Sequence, residues 1–160
     1  MTHRVRHRGA GEGTELKAPD AVLTIKIDSA DTDGGYEVFE VDAPRGPATP
    51  PHQTGWAKAY YLLHGRMIVQ VDDQAVDLAP GSAITIPPDA WHTFTVLSPS
   101  AGFLVISQTA AMSRFHTDLA AAVPGDVPVT DLGPELAAVL ARHRVRLAPT
   151  PESGGGGSPC

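Results

Sequence analysis

The sequence predicts an all-β barrel followed by one or two helices, and three observations carry that expectation. Between residues 21 and 108 the apolar side chains come in short runs. Most of these alternate with a period of two, which puts one set of side chains inside a sheet and the other outside. Fifteen prolines and sixteen glycines, against three methionines and nine aromatic residues, describe many short elements joined by turns. After residue 110 the apolar spacing changes from that of a strand to that of a helix.

Taken in order, residues 1–20 are polar with scattered glycine and show neither period, so a loose N-terminal arm is expected. Eight strands follow, at 21–28, 36–42, 58–63, 66–72, 75–78, 83–87, 92–97 and 102–108. Their separators are turn chemistry, among them Asp33-Gly34-Gly35, His64-Gly65, Pro80-Gly81 and Pro87-Pro88-Asp89. Strands this short and regular suggest a sandwich or barrel, because closure or double layering removes exposed edges. Met112, Phe115 and Leu119 then fall at helical spacing. A second helix is expected from Pro134, with proline and Glu135 at its start and Arg142, His143 and Arg144 at its end, where they complement the helix dipole. The expected plan is an arm at 1–20, a barrel at 21–110, a helical segment at 111–150 and a flexible tail at 151–160. The stretch from Ser153 to Cys160 is Gly/Ser-rich and cannot bury apolar surface; it reads as an engineered thiol tether or a natural tail.

A chain of 160 residues, 42% hydrophobic and 19% charged, is long enough for one domain with its own core. The net charge of −6 leaves no broad basic field, so nucleic acid is not an expected partner. No run approaches the roughly 18 to 20 apolar residues of a membrane span, and no apolar signal region follows the first residues, so no membrane partner and a cytoplasmic location are expected. Cys160 is the sole cysteine, which excludes an internal disulfide or a thiolate cluster within one chain.

The informative stretch runs from Gly46 through His52, Thr54, Lys58 and Tyr60 to Gly65, and is followed by Gly81, Pro87, Asp89 and His92. It resembles the two motifs of the cupin superfamily. In that family the first motif runs from Gly through five residues to His-x-His, then Glu, then six residues to Gly; the second runs from Gly through Pro-x-Gly to His. The intervals are kept here over about residues 42–97, which implies a double-stranded β-helix, the jelly-roll cupin barrel. The flanking strands and helical tail are compatible with quercetin-dioxygenase-like and polyketide-pathway monocupins. The family's two histidines and glutamate of the first motif, with the histidine of the second, hold Fe, Mn, Ni, Cu or Zn. Position by position, this sequence offers His52, Thr54, Lys58 and His92. A neutral hydroxyl is a poor ligand for a divalent ion and an ammonium repels one, so no metal and no other cofactor are expected. If a metal is retained, His52 and His92 alone would hold it. Asp89 stands where the family usually has Gly and Val96 where Asn is common; Asp tolerates the left-handed turn.

Strand alternation puts Lys58, Tyr60 and Leu62 on one inward face. Lys58 is one of only three lysines. Buried near two histidines, its amine would lose proton affinity and serve as a base or nucleophile; alternatively it snorkels to the mouth or fills the vacated metal position. His52 and His92 read either as acid/base groups or as hydrogen-bonded relics of a metal site. Thr54 and Tyr60 are candidate hydrogen-bonding groups for a substrate, and Trp56, Phe94 and Met67 candidate apolar contacts. His64 and His116 are expected at the surface. The leading expectation is a metal-independent enzyme of cyclase, isomerase or lyase type. It would act on a small, largely apolar, polyketide- or flavonoid-like molecule through Lys58, His52 and His92. A metal-dependent oxygenase resembling quercetin dioxygenases and a non-catalytic ligand-binding barrel are the alternatives. The resemblance also implies a homodimer, for which the apolar outward phases offer a surface.

Overall fold

The computed structural model describes residues 3–123 and 133–149. Its strands are β1 (Thr14–Ala18), β2 (Ala21–Ile27), β3 (Tyr36–Pro44), β4 (His52–Gln53), β5 (Lys58–His64), β6 (Met67–Val71), β7 (Gln74–Leu78), β8 (Ala83–Ile86), β9 (His92–Val96), β10 (Ser100–Gln108) and β11 (Arg146–Leu147), with helices α1 (Ala111–Ala122) and α2 (Pro134–His143) before the last. All eight expected strands form. They belong to two antiparallel sheets, ordered β1-β2-β3-β10-β5-β8 and β11-β4-β9-β6-β7. This is the expected all-β jelly-roll with C-terminal helices.

Alternation does the packing. On β5 Lys58, Tyr60 and Leu62 are buried, while Tyr61 and Leu63 face outward. On the facing sheet, Met67 and Val69 of β6 are fully buried and pair in register with Val96 and Phe94 of β9. Phe39, Leu62, Met67 and Phe103 fill the centre of the sandwich. Burying such side chains stabilises the fold by roughly 1.5–3 kcal/mol each.

The N-terminal arm needs correction. Residues 14–18 form an edge strand on β2, with Leu16 opposite Leu23, and the Pro19-Asp20 turn closes the hairpin. Arg8 continues the attachment, donating to the Lys26 carbonyl at 2.8 Å and to Asp31 at 2.7 Å. An edge strand is held mainly by backbone pairing, and in Thr-Glu-Leu-Lys-Ala the alternation of Leu16 and Ala18 against Glu15 and Lys17 is short and carries a single large apolar residue, too little to stand out. The strands β4 and β11, two residues each, were likewise not expected. The tail at 151–160 and the inter-helix part of the expected helical segment, 124–132, lie outside the described residues.

Two turns explain motif positions. Gly65 has φ +87°, and a Cβ there would collide with the backbone carbonyl of Ser100. Asp89, where the related motif has glycine, adopts φ +64°, so the left-handed turn is kept without glycine. Helix α1 buries Met112, Phe115 and Leu119; α2 buries Leu136 and Val139. The two helices are tied by Asp118, which accepts from Arg142 at 3.1 Å and from His143 at 2.6 Å. No helix among the described residues is long and apolar enough to cross a membrane.

Candidate active site

The site is assembled where β4, β5 and β9 meet under helix α1. His52 and His92 are directly opposite one another in the β4–β9 pairing, and their rings lie 4.1 Å apart, tilted by 52°. The Nδ1 of His52 is 2.9 Å from the carbonyl of Pro50, and the Nδ1 of His92 is 2.9 Å from that of Ala90. A carbonyl only accepts, so each Nδ1 carries the proton and each Nε2 keeps its lone pair. The Nε2 of His92 is buried with no hydrogen-bond partner. Such an unmatched acceptor is costly unless a ligand or a proton donor meets it.

Lys58, the first residue of β5, is only 8% exposed. Its ammonium lies 5.7 Å from the centroid of the Tyr60 ring, and no carboxylate among the described residues pairs with it in a salt bridge. Burial alone lowers its pKa to about 7. At neutral pH the amine is therefore about half unprotonated. The histidines are held neutral as well. Burial, then the Lys58 charge, brings His52 down to about 4; burial, then the charges of Lys58 and His52, brings His92 down to about 3.

A third imidazole joins them. His116, expected at the surface, is half-buried on α1 and faces a cavity of about 640 Å³ between the barrel mouth and the helices. Burial, followed by the charges of Lys58 and His52, lowers its pKa to about 3. A signal for it was present in the sequence: position 116 directly follows Phe115 and precedes Leu119 by three, so it flanks the buried stripe of α1. The stripe of a core-facing helix is wide enough to include such a flank.

The cavity is mainly apolar. His52, Phe94 and Val96 line it from the barrel, Phe115, His116 and Leu119 from α1, and Leu136 and Leu140 from α2, with Asp20 and Arg45 as its charged members. Of the other expected contacts, Phe94 lies on this wall. Thr54 is buried and donates to the Trp56 carbonyl at 3.4 Å. Tyr60 packs on Phe103 at 5.1 Å, and its hydroxyl is harder to ionise than usual because of burial and the charge of Asp20. Met67 is core, and Trp56 packs on Phe115 at 6.1 Å rather than lining the cavity. His64 is at the surface, as expected.

The donors at the matched motif positions are the Nε2 atoms of His52 and His92, and His116 does not close a three-residue group with them. Thr54 and Lys58 supply no anionic or second imidazole ligand at their positions, and no group of three or more His, Cys, Asp or Glu among the described residues is placed to hold an ion. Metal centres with about three protein ligands are the norm, so this donor set does not fit one.

Comparison with known proteins gives the family. The Cupin domain family matches residues 38–106. A quercetin 2,3-dioxygenase of Bacillus subtilis is 28% identical over 86 residues, covering 53% of this chain but only 26% of that protein. The chain thus matches about a quarter of that relative's length. Among solved structures, the polyketide cyclase RemF of Streptomyces resistomycificus superposes with a TM-score of 0.53 at 26% identity, over 68% of this chain and 80% of that one. KdgF of a Halomonas species shares the fold with a TM-score of 0.59 at 18% identity, over 66% and 94%. Matched motif intervals, a two-sheet antiparallel barrel and these likenesses together make the barrel of this chain a domain of the cupin superfamily.

Proposed function

We propose that the protein takes a small, largely apolar carbonyl compound into the cavity and moves a proton at the carbon next to the carbonyl, without a metal. The observation that carries the reading is a buried lysine with no carboxylate partner together with a pair of imidazoles 4.1 Å apart, one of which, His92, has an unpartnered Nε2 and the other of which, His52, lines the cavity. An amine titrating near 7 is matched to proton transfer at neutral pH. In this reading neutral Lys58 takes the proton from carbon. The ammonium so formed stabilises the enolate oxygen by its charge, while the Nε2 lone pairs of His52 and His92 accept its N–H bonds. Returning the proton to a different atom completes an isomerisation, a dehydration or the closing step of a cyclisation. Thr54 and Tyr60 are retained as polar groups near the reacting centre, and Phe94, Trp56 and Met67 as its apolar support. The likeness to a polyketide cyclase supports a cyclic, polyketide-like substrate. A cytoplasmic homodimer belongs to the same reading.

The test is deuterium uptake at the α-carbon of α-tetralone in D2O, followed by proton NMR. The wild-type protein is expected to accelerate exchange by about 10²-fold or more over buffer, and Lys58→Met to abolish the acceleration. Binding of α-tetralone without exchange would replace catalysis with simple ligand binding.

One observation favours a second reading. Both rings are oriented by a backbone carbonyl at Nδ1 and the Nε2 of His92 is unpartnered, an arrangement also found in metal-ligating histidines, and the quercetin dioxygenase likeness points the same way. A metal-dependent oxygenase would carry a tightly held ion that survives dialysis against chelator.

A further inference from the structure

Glu37, on β3, is completely buried and is the one buried carboxylate among the described residues. Its oxygens accept from the backbone N–H of Ser113 at 3.0 Å and from the Ser113 hydroxyl. Ser113 is the third residue of α1, whose cap residue Ala110 offers no side-chain acceptor. The first N–H groups of a helix need acceptors from outside the helix, and a negative charge there is favoured by the helix dipole. Here that acceptor comes from the barrel wall, 76 residues earlier in the chain. Three residues beyond the bond, less than one turn, α1 presents His116 to the cavity.

We infer that Glu37 is a positioning residue for the site: by pinning the first turn of α1 to β3, its carboxylate holds His116 on the cavity wall that it shares with His52. The inference deepens the acid/base reading and rests on it for its functional meaning. The pin itself is a geometric device with its own readout. A residue needed only to stabilise the barrel would, when changed, weaken every part of the structure. Loss of this pin should instead release α1 selectively, so that the half-buried His116 becomes more exposed to water while the β4–β9 histidines stay as they are. The titratable and charged groups that share the cavity with His116 are His52, Asp20 and Arg45, with the Phe115 ring at 5.0 Å and the Lys58 charge near enough to be felt. Asp118, Arg142 and His143 form their own ion-paired group on the helices.

The experiment is NMR of the histidine Cε1–H signals between pH 8 and pH 5. His116 and His92 are assigned through His116→Asn and His92→Asn, and near-UV circular dichroism checks the barrel. In the wild type both residues are expected to stay unprotonated down to pH 5. In Glu37→Ala His116 should become half-protonated close to the ordinary value of about 6.5, with His92 unchanged. Glu37→Gln, which keeps one acceptor oxygen, should restore most of the wild-type behaviour. If Glu37→Ala does not fold, Ser113→Ala reads the same point, since it removes the hydroxyl half of the pin and should raise the His116 midpoint by a smaller amount. A folded Glu37→Ala, or failing that Ser113→Ala, in which His116 still stays neutral at pH 5 overturns the inference. Failure of the α-tetralone exchange with the His116 shift intact would overturn the acid/base reading alone.

Discussion

His52 and His92 are two copies of one local arrangement: each ring is held by a bond from Nδ1 to the carbonyl two residues earlier, and the two strands bring the rings 4.1 Å apart. The tautomer of each is thereby set by its own backbone. Both therefore offer lone pairs inward and neither offers a proton. Lys58 is the group of this trio with protons to give.

That division of roles predicts the metal behaviour. Protein purified without added metal should carry well under one equivalent of any transition ion by elemental analysis. Thr54→His together with Lys58→Glu should add an imidazole and a carboxylate beside His52 and His92, and zinc binding should then be measurable by calorimetry. Stoichiometric metal in the wild type that survives chelation would falsify the metal-free reading.

Lys58→Met should leave the barrel folded, because a linear apolar chain of similar volume fits among Tyr60, Leu62 and Ile86 and removes a desolvated charge. Its urea midpoint should equal or exceed that of the wild type. Exchange activity should fall by at least about 10²-fold. A variant that keeps its activity shifts the base role to an imidazole.

Stability should depend on pH with a definite sign. The folded-state values of about 4, 3 and 3 for His52, His92 and His116 lie below the ordinary histidine value, so the unfolded chain binds more protons between about pH 3 and pH 6.5. Stability therefore rises with pH across that window and is lost as pH falls through it. Lys58, at about 7 when folded, adds a further rise from about pH 7 toward 10. Urea unfolding at pH 5, 6, 7 and 9 should give midpoints that climb throughout, provided that the carboxylates and tyrosines elsewhere contribute little. His52→Asn should reduce the acid slope.

The outward face of the six-stranded sheet carries Tyr61, Leu63 and Ile106, each 41–45% exposed. Adjacent apolar side chains of this kind suit a self-associating face. Light scattering at micromolar concentration should give a dimer, and Tyr61→Lys with Ile106→Glu a monomer. A monomeric wild type removes the dimer from the proposal.

The barrel was legible because alternation and turn chemistry are local. The run from Lys58 to His64 reveals its inner face through residues two apart, and Asp89 shows its turn through a side chain that tolerates positive φ. Lys58 itself was found by spacing against a known motif. What stayed hidden depends on contacts between distant segments. Thr14–Ala18 carries only one large apolar residue on its alternating inner phase, and its pairing depends on the edge that β2 offers. His116 looks like an exposed helix position until α1 is laid across the barrel mouth, and Glu37 shares the inward phase of Phe39 and Val41 with nothing nearby in sequence to show that Ser113 will meet its charge. The local sequence shows only that His116 flanks an apolar stripe; what that stripe packs against is set by distant segments.

The wall of the cavity comes from two separate stretches of chain, with His52 and Phe94 on the barrel and Leu119, Leu136 and Leu140 on the helices. Much of the shape of the cavity is therefore set by helix residues other than His116, apart from the lysine and the paired histidines of the barrel. Exchanging leucine at 119, 136 or 140 for smaller or larger side chains can change which molecule is accepted while the amine and imidazoles beneath remain as they are. For anyone seeking new ligands, these three leucines are the positions to diversify, with His116 and Ser113 of α1 and the barrel residues left alone.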